Sequence, residues 1–320
     1  MSWFFPLSQV FGGCCCNVYS FEELTRDSSF IAQAPNLGTT VTLCQFILVS
    51  VMSLPSQLEG GLYLKKPNIP ISKLLFLVSL YFVVSVLNNS AWRFGISVPL
   101  HIVFRSSSTV CSMIVGYLVG GKKYSRHQVF SCVLMTIGTF FVISQGPQKG
   151  ETVSFNYLFL CGVLVLSVAS FLGAYMGIYT ENLYTQYGAH WRETLFYTHF
   201  MALPMFLVFS PALLSDLRVL SQSQPLYLGV PKGLAYLALN SATQVLCASG
   251  VNRLAGCTTS LTVAVILLTR KFASLAISTY MYGSSFTTQG ILGSLTIVLS
   301  TVYYTAVSMK KTSPAKQKAE

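Results

Sequence analysis

The sequence predicts an all-α membrane protein of ten transmembrane helices, arranged as two inverted five-helix repeats with both termini cytosolic. Three observations predict it. Hydrophobic residues make up 52% of the 320 and charged residues only 9%, with a mean hydropathy of +0.60. Soluble domains carry roughly 25% charged residues, so this supply cannot build a water-facing surface, and disorder is excluded with it. Apolar segments near the ~20 residues that cross a bilayer recur along the whole chain, which excludes a single-pass receptor. Lys and Arg gather on alternate connections, as the positive-inside bias of short cytosolic loops requires.

Charges and Gly/Pro clusters punctuate the ten spans in order. Span 1, residues 4–21, stops at Glu22 and Glu23, and with no Lys or Arg before Arg26 it lacks the basic start of a signal peptide. It is therefore expected to remain in the mature protein. Span 2 covers 37–56, and the basic Pro-containing KKPNIP run separates it from span 3 at 74–92, just short of Arg93. Span 4, 98–119, ends at GGKKYS, and span 5, 128–145, ends before GPQKG. Span 6 covers 155–178; span 7, 194–214, lies between Glu193 and Asp216. Lys232 and Arg253 bracket span 8 at 233–252. Span 9, 257–282, runs into YGSSFTT, and span 10, 288–308, precedes Lys310.

With the termini and the even-to-odd loops on one side, that side holds Lys65, Lys66, Lys73, Lys122, Lys123, Arg126, Arg192, Arg253, Lys310, Lys311, Lys316 and Lys318. The other side holds only Arg26, Arg93, Lys149, Arg218 and Lys232. The imbalance places the termini in the cytosol. The formal charge of +11 is mostly this bias, and no basic stripe interleaved with aromatics points to nucleic acid. Residues 98–145 and 257–308 read as a diverged repeat, with Arg105 and Arg270 in matching spans. Five helices is an odd number, so the two halves, 1–145 and 146–309, insert in opposite senses, a transporter architecture. Residues 310–320 form a cytosolic tail. The nine cysteines lie in or at the ends of apolar segments, and their odd number argues against a disulfide framework.

Arg105, Arg270 and Lys271 sit well inside predicted spans, where each costs about 2.5–3.5 kcal/mol, and no span carries an Asp or Glu at its middle to pair them. That is the pattern of a water-filled cavity for an anion. At helical spacing, Arg105 shares a stripe with His101, Ser108, Thr109, Ser112 and Gly116, and Lys271 with Ser260, Ala264, Leu267, Ser274 and Ser278. Arg270's stripe is apolar (Val263, Ile266, Ala273, Ile277), so Lys271 is expected to face the cavity. Gln45, Asn88, Asn89, His199, Asn240 and Gln244 are further polar groups inside spans, each either a ligand contact or interhelical glue. Glu22 lies at the non-cytosolic end of span 1, as a site residue or an interfacial one. No metal-ligand spacing, HExxH or GxSxG occurs, and the two aspartates, Asp27 and Asp216, are in loops, so neither enzyme chemistry nor a cofactor is expected.

The segments FGGCCCNVYSFEEL (11–24), SVLNNSAW (85–92), VPLHIVFRSSS (98–108), GKKYS (121–125), YGAHWRETLFYTHFMALPMF (187–206) and LLTRKFASL (267–275) resemble the nucleotide-sugar transporters of the drug/metabolite transporter superfamily. The likeness is closest to the UDP-N-acetylglucosamine/UDP-xylose subfamily, notably the fungal endoplasmic-reticulum type. The resemblance implies a ten-helix inverted-repeat fold and exchange of cytosolic UDP-N-acetylglucosamine for lumenal UMP. By that likeness Lys271 and Arg270 contact the nucleotide phosphates, Asn88 and Asn89 lie near the base, and Arg105 and His199 match family positions without an assigned role. Another UDP-sugar (UDP-xylose, UDP-glucose) or a sugar phosphate is the alternative cargo, and a membrane glycosyltransferase the alternative class. Lys316 and Lys318 have the spacing of a dilysine retrieval signal read by a vesicle coat, which implies the endoplasmic reticulum, with the Golgi as the alternative. A homodimer is left open.

Overall fold

The structure is a computed structural model that describes residues 4–26, 33–34, 36–60, 63–94, 108–143, 157–226, 229–281 and 288–316. In chain order its helices are α1 (Phe4–Ser8), α2 (Cys14–Arg26), α3 (Leu37–Ser53), α4 (Ile71–Ser90), α5 (Ser108–Leu118) and α6 (Arg126–Ile143). There follow α7 (Tyr157–Tyr187), α8 (Trp191–Phe200), α9 (Ser210–Ser221), α10 (Lys232–Cys257), α11 (Ser260–Met281) and α12 (Thr288–Lys316). Among the described residues the only sheet is a short hairpin after α3, with Leu58 opposite Leu64 and Glu59 opposite Tyr63. A bilayer offers the backbone no hydrogen-bond partner, so a lipid-embedded chain closes its own bonds in helices.

Among the described residues five segments are long and apolar enough to cross a membrane: Leu37–Gln57, Ile71–Ser90, Tyr157–Tyr187, Lys232–Cys257 and Thr288–Ser308. A bent pair, Trp191–Leu207 with Pro211–Ser221, makes a sixth when counted as one span. Only 17–33% of the most apolar window in each of the five is buried. The outer faces carry Val51, Leu158, Leu164 and Leu299, each at least 49% exposed. Helices apolar on their outer faces as well as their inner ones need lipid as solvent, and the protein is a multi-pass α-helical membrane protein.

Local chemistry moves several expected boundaries. The first stretch is helical from Phe4 to Arg26, interrupted by a π-helical turn at Gln9–Gly13 that coincides with Gly12-Gly13. It outlasts the expected end at residue 21 because Glu23 pairs with Lys232 at 3.7 Å. The expected continuous span 194–214 is broken. A 3₁₀ segment, Leu203–Phe209, separates α8 from α9 across a bend of 100°, where Pro204 and Pro211 withdraw amide donors from the ladder. α7 continues past 178 to Tyr187, and α12 continues through the start of the expected tail to Lys316. Of expected span 4, α5 is the described part.

The chain divides into two compact units, Met1–Asn89 with Tyr179–Thr258, and Ser90–Ile178 with Thr259–Glu320. The first is organised on the crossing of α1–α2 with α10. A Cβ on Gly13 would lie 2.8 Å from the Cys247 backbone nitrogen, and one on Gly250 would lie 2.9 Å from the Gln9 Cβ. Small residues let helix backbones approach where lipid supplies no hydrophobic drive. The approach brings the Cys14 and Cys247 Cα atoms to 4.6 Å, and the two form a disulfide. This corrects the expectation of no disulfide, because an argument from cysteine number is blind to which small-residue faces meet. α3 packs on this pair through Val49, with Leu195 and Ala248.

The second unit is built on α6 and α12. A Cβ on Gly138 would lie 2.8 Å from the Gly293 carbonyl oxygen, and His127 Nδ1 and the Tyr303 hydroxyl are 2.7 Å apart. Cys132, Met135, Ile297 and Tyr304 from this pair close on Leu261, Val265, Leu268 and Phe272 of α11. α5 packs on α7 through Cys111, Val115, Ala174 and Ile178.

Candidate functional site

α11 carries the two basic residues that an apolar helix is least expected to hold. Leu261, Val265, Leu268 and Phe272 form its packed stripe against α6 and α12. At about 100° per residue, Arg270 points roughly 170° from the centre of that stripe and Lys271 about 90°. Both side chains are half-buried. Ser260, Ala264 and Ser274, on the Lys271 stripe, are buried; on the Arg270 stripe Val263 and the Arg270 Nε are buried and Ile277 is 48% exposed. Thr269, just before the pair, meets Thr301 of α12 with its hydroxyl at 3.0 Å. Lys271 thus leaves the helix on its small-residue, protein-facing side, and Arg270 on the side away from the unit's packed stripe.

The charge of the molecule is divided unevenly between the units. The second holds twelve Lys and Arg against two carboxylate side chains, Glu151 and Glu320; the first holds eight against seven. Neither Glu151 nor Glu320 falls on a helix of the described residues. The second unit therefore has no carboxylate at the level of Arg270 and Lys271 on its described helices, and an anion is the chemical complement of that helix segment.

In the first unit α3 is the common neighbour of the expected polar residues. Asn89 Nδ2 reaches the Thr42 hydroxyl at 3.4 Å, while Asn88 Nδ2 donates to the Val84 carbonyl of its own helix at 2.8 Å. One turn along α3, Phe46 packs 4.8 Å from the buried ring of His199, which also meets Tyr81 at 5.5 Å. His199 Nδ1 lies 2.8 Å from the Leu195 carbonyl oxygen, so it carries the proton and donates. Nε2 is then an acceptor, buried and without a hydrogen-bond partner in the structure.

Other expected residues are tied into the scaffold. Gln45 Nε2 donates to Asn240 Oδ1 at 2.6 Å. Asn240 Nδ2 donates to the Asn17 carbonyl at 2.8 Å, and Asn17 Nδ2 returns a bond to the Asn240 carbonyl at 2.7 Å. With Asn240 fully buried, Gln45 and Asn240 join α2, α3 and α10, which is the interhelical role. Gln244 is half-buried one turn beyond Asn240, and Glu22 is half-buried beside the Glu23–Lys232 pair. Lys271 and Arg270 belong to the second unit; Asn88, Asn89, His199, Gln244 and Glu22 belong to the first. Arg105 and Lys318 lie outside the described residues, and Lys316 ends α12.

Sequence spacing misses three features. Glu193 is buried, and its carboxylate accepts from the Asn68 amide (3.0 Å), the Asn68 side chain (2.9 Å) and the Ile69 amide (2.8 Å), which fixes the loop before α4. Asp216 is fully buried in α9, accepting from Thr40 at 3.0 Å, so it is not the loop residue expected. The Arg253 guanidinium stacks between Phe5 and Trp191. Partners this far apart in the chain leave no local pattern, although WRETL lies within one of the family-like segments.

The UAA transporter family profile matches residues 2–308. Curated relatives cover almost the whole chain. The UDP-N-acetylglucosamine transporter YEA4 of Kluyveromyces lactis is 37% identical, over 98% of this chain and 100% of its own length. The UDP-N-acetylglucosamine transporter yea4 of Schizosaccharomyces pombe is 38% identical, over 97% and 98%. The UDP-xylose and UDP-N-acetylglucosamine transporter of Danio rerio is 35% identical, over 96% and 95%. A solved crystal structure superposes with a TM-score of 0.66 over 94% of this chain and 98% of its own, at 12% identity, which bears on the fold alone.

Proposed function

The chain belongs to the UAA transporter family, and from that premise we propose that it carries UDP-N-acetylglucosamine from the cytosol into the lumen of the endoplasmic reticulum in exchange for UMP. The relatives named above are nucleotide-sugar transporters, and the chain is a transporter rather than an enzyme. The observation that carries the cargo class is the Arg270–Lys271 pair, inside an apolar helix of a unit with almost no carboxylates. A bound anion of two negative charges is the complement of such a pair.

In this reading Lys271, with Arg270 and Arg105, holds the phosphates. Asn88 and Asn89 lie near the base, and His199, Gln244 and Glu22 complete the polar lining. The His199 Nε2 acceptor supports such a role, since a buried lone pair without a donor is costly and a ligand hydroxyl or N–H would satisfy it. Exchange follows from electrostatics. Taking cations out of water costs several kcal/mol per ion, so the empty carrier reorients slowly, whereas UDP-sugar or UMP, each near two negative charges, offsets the charge and lets the loaded carrier turn over.

The ten-span topology with cytosolic termini and paired inverted repeats, 1–145 and 146–309, is part of the proposal. The order of the units supports it. Expected spans 2–3 and 7–8 fall in unit one and spans 4–5 and 9–10 in unit two, matching positions of the two halves, whereas span 1 falls in unit one and span 6 in unit two. UDP-xylose remains the second cargo because one relative's name carries both sugars. Reconstituted protein should accumulate labelled UDP-N-acetylglucosamine only in vesicles preloaded with UMP. Equal efflux into nucleotide-free and UMP-containing buffer would overturn the exchange mechanism, and preference for another UDP-sugar in competition would overturn the cargo.

A further inference from the structure

At one end of the first unit two guanidinium groups share a single indole. Arg253 lies 4.4 Å from the Trp191 ring and 4.6 Å from the Phe5 ring, and Arg192 lies 5.2 Å from the same indole. Stacking occupies the flat faces of a guanidinium and leaves its in-plane N–H groups directed outward. Those of Arg253 are only partly used: its Nε is buried and has no hydrogen-bond partner. Among the described residues neither arginine has a carboxylate partner. The adjacent Glu193 is engaged by Asn68 and Ile69. Two like charges around one ring repel each other, and a planar fork of N–H donors is the geometry that accepts phosphate oxygens in pairs.

The surroundings place this cluster at headgroup level. Arg253 is one turn from the end of Lys232–Cys257, a helix long enough to cross the bilayer. Trp191, against which it stacks, is of the residue type that gathers in the interfacial belt at span ends, and Phe5 on its other side is 51% exposed.

We propose that Arg253 and Arg192, held on Trp191 and Phe5, bind the phosphate of an anionic membrane lipid. The site uses no residue assigned to cargo and stands whether or not the cargo assignment does. Full-length protein, purified and delipidated, is incubated with dioleoyl phosphatidic acid, with dioleoylglycerol as the same tails without phosphate, and with glycerol 3-phosphate as the phosphate without tails. Bound species are counted by native mass spectrometry. Phosphatidic acid should bind, and Arg192→Gln and Arg253→Gln should each weaken it at least tenfold. Arg253→Lys should weaken it too, because it keeps the charge and loses the fork. Arg192 is exposed, so its variant tests the site even if changes at Arg253 impair folding. Unchanged phosphatidic acid binding in Arg192→Gln would overturn the site. Dioleoylglycerol binding as well as phosphatidic acid would overturn phosphate recognition, and glycerol 3-phosphate binding as tightly would overturn the lipid as its source.

Discussion

Removing the Lys271 ammonium should cost cargo binding and nothing else. The side chain leaves α11 on the stripe that carries Ser260, Ala264 and Ser274, all buried and none acidic, so Lys271→Ala leaves the packed stripe intact. A charge-assisted hydrogen bond to a diphosphate contributes about 1.5–3 kcal/mol, which at 1.4 kcal/mol per decade is roughly a 10- to 150-fold loss of affinity. Folding should gain, because the ammonium costs about 2.5–3.5 kcal/mol at the helix centre. Lys271→Arg restores the charge and should recover part of the affinity. Arg270→Ala removes a cation from the stripe that ends at exposed Ile277 and should cost less. The assay is equilibrium binding of UDP-N-acetylglucosamine to purified protein, with thermal unfolding measured in the same detergent. If Arg270→Ala loses more affinity than Lys271→Ala, the facing of α11 is wrong. If both variants bind normally, the anion site lies elsewhere.

Glu193→Gln replaces an oxygen that accepts from a backbone amide with an NH₂ that opposes it; by the cost of unsatisfied buried donors it should destabilise by about 2–4 kcal/mol, read as a lower unfolding temperature and faster proteolysis near Asn68. A stability equal to wild type would show that the loop is held by something else. Gly13→Ala places a carbon 2.8 Å from the Cys247 nitrogen and should cost about 1–3 kcal/mol of overpacking, whereas Gly12→Ala, whose Cβ meets nothing within 4 Å, should be tolerated; equal stability of the two would argue against the tight crossing. Changing Lys316 and Lys318 together to Ser keeps Lys310 and Lys311 and hence the topology, so fluorescence imaging should find the protein beyond the endoplasmic reticulum while isolated vesicles still transport. Retention would mean that the tail is not the address.

The fold class was legible because composition decides it: 9% charged residues cannot cover so apolar a chain with water-facing surface. Segment starts were legible where a charge or proline precedes an apolar run, as at Pro231-Lys232 and Arg126. Segment ends were not legible where a tertiary contact extends a helix, as the Glu23–Lys232 pair extends α2. A hydropathy window sums residues without regard to backbone donors, so it read 194–214 as one span although Pro204 and Pro211 break it. Arg270 and Lys271 were legible as anomalies on insertion cost alone. The roles of Gln45 and Asn240 were not, because an amide inside a helix looks the same whether it meets a ligand or another amide; only the 2.6 Å bond between them decides.

The partition of charge between the units adds what positive-inside counting leaves unexplained. Lys122 and Lys123 lie in the turn before α6, Arg126 begins α6, and Lys310, Lys311 and Lys316 lie in the last turns of α12, positions that the positive-inside bias accounts for. Arg270 and Lys271 are ten and eleven positions into a 22-residue helix, too far from either end for the bias to reach. Their own unit offers only Glu151 and Glu320 as carboxylates, neither on a described helix. Replacing both cations with leucine would have been the cheaper way to stabilise the fold. That the helix keeps them argues for a counter-charge that arrives and leaves, which is what a carrier of phosphorylated cargo requires.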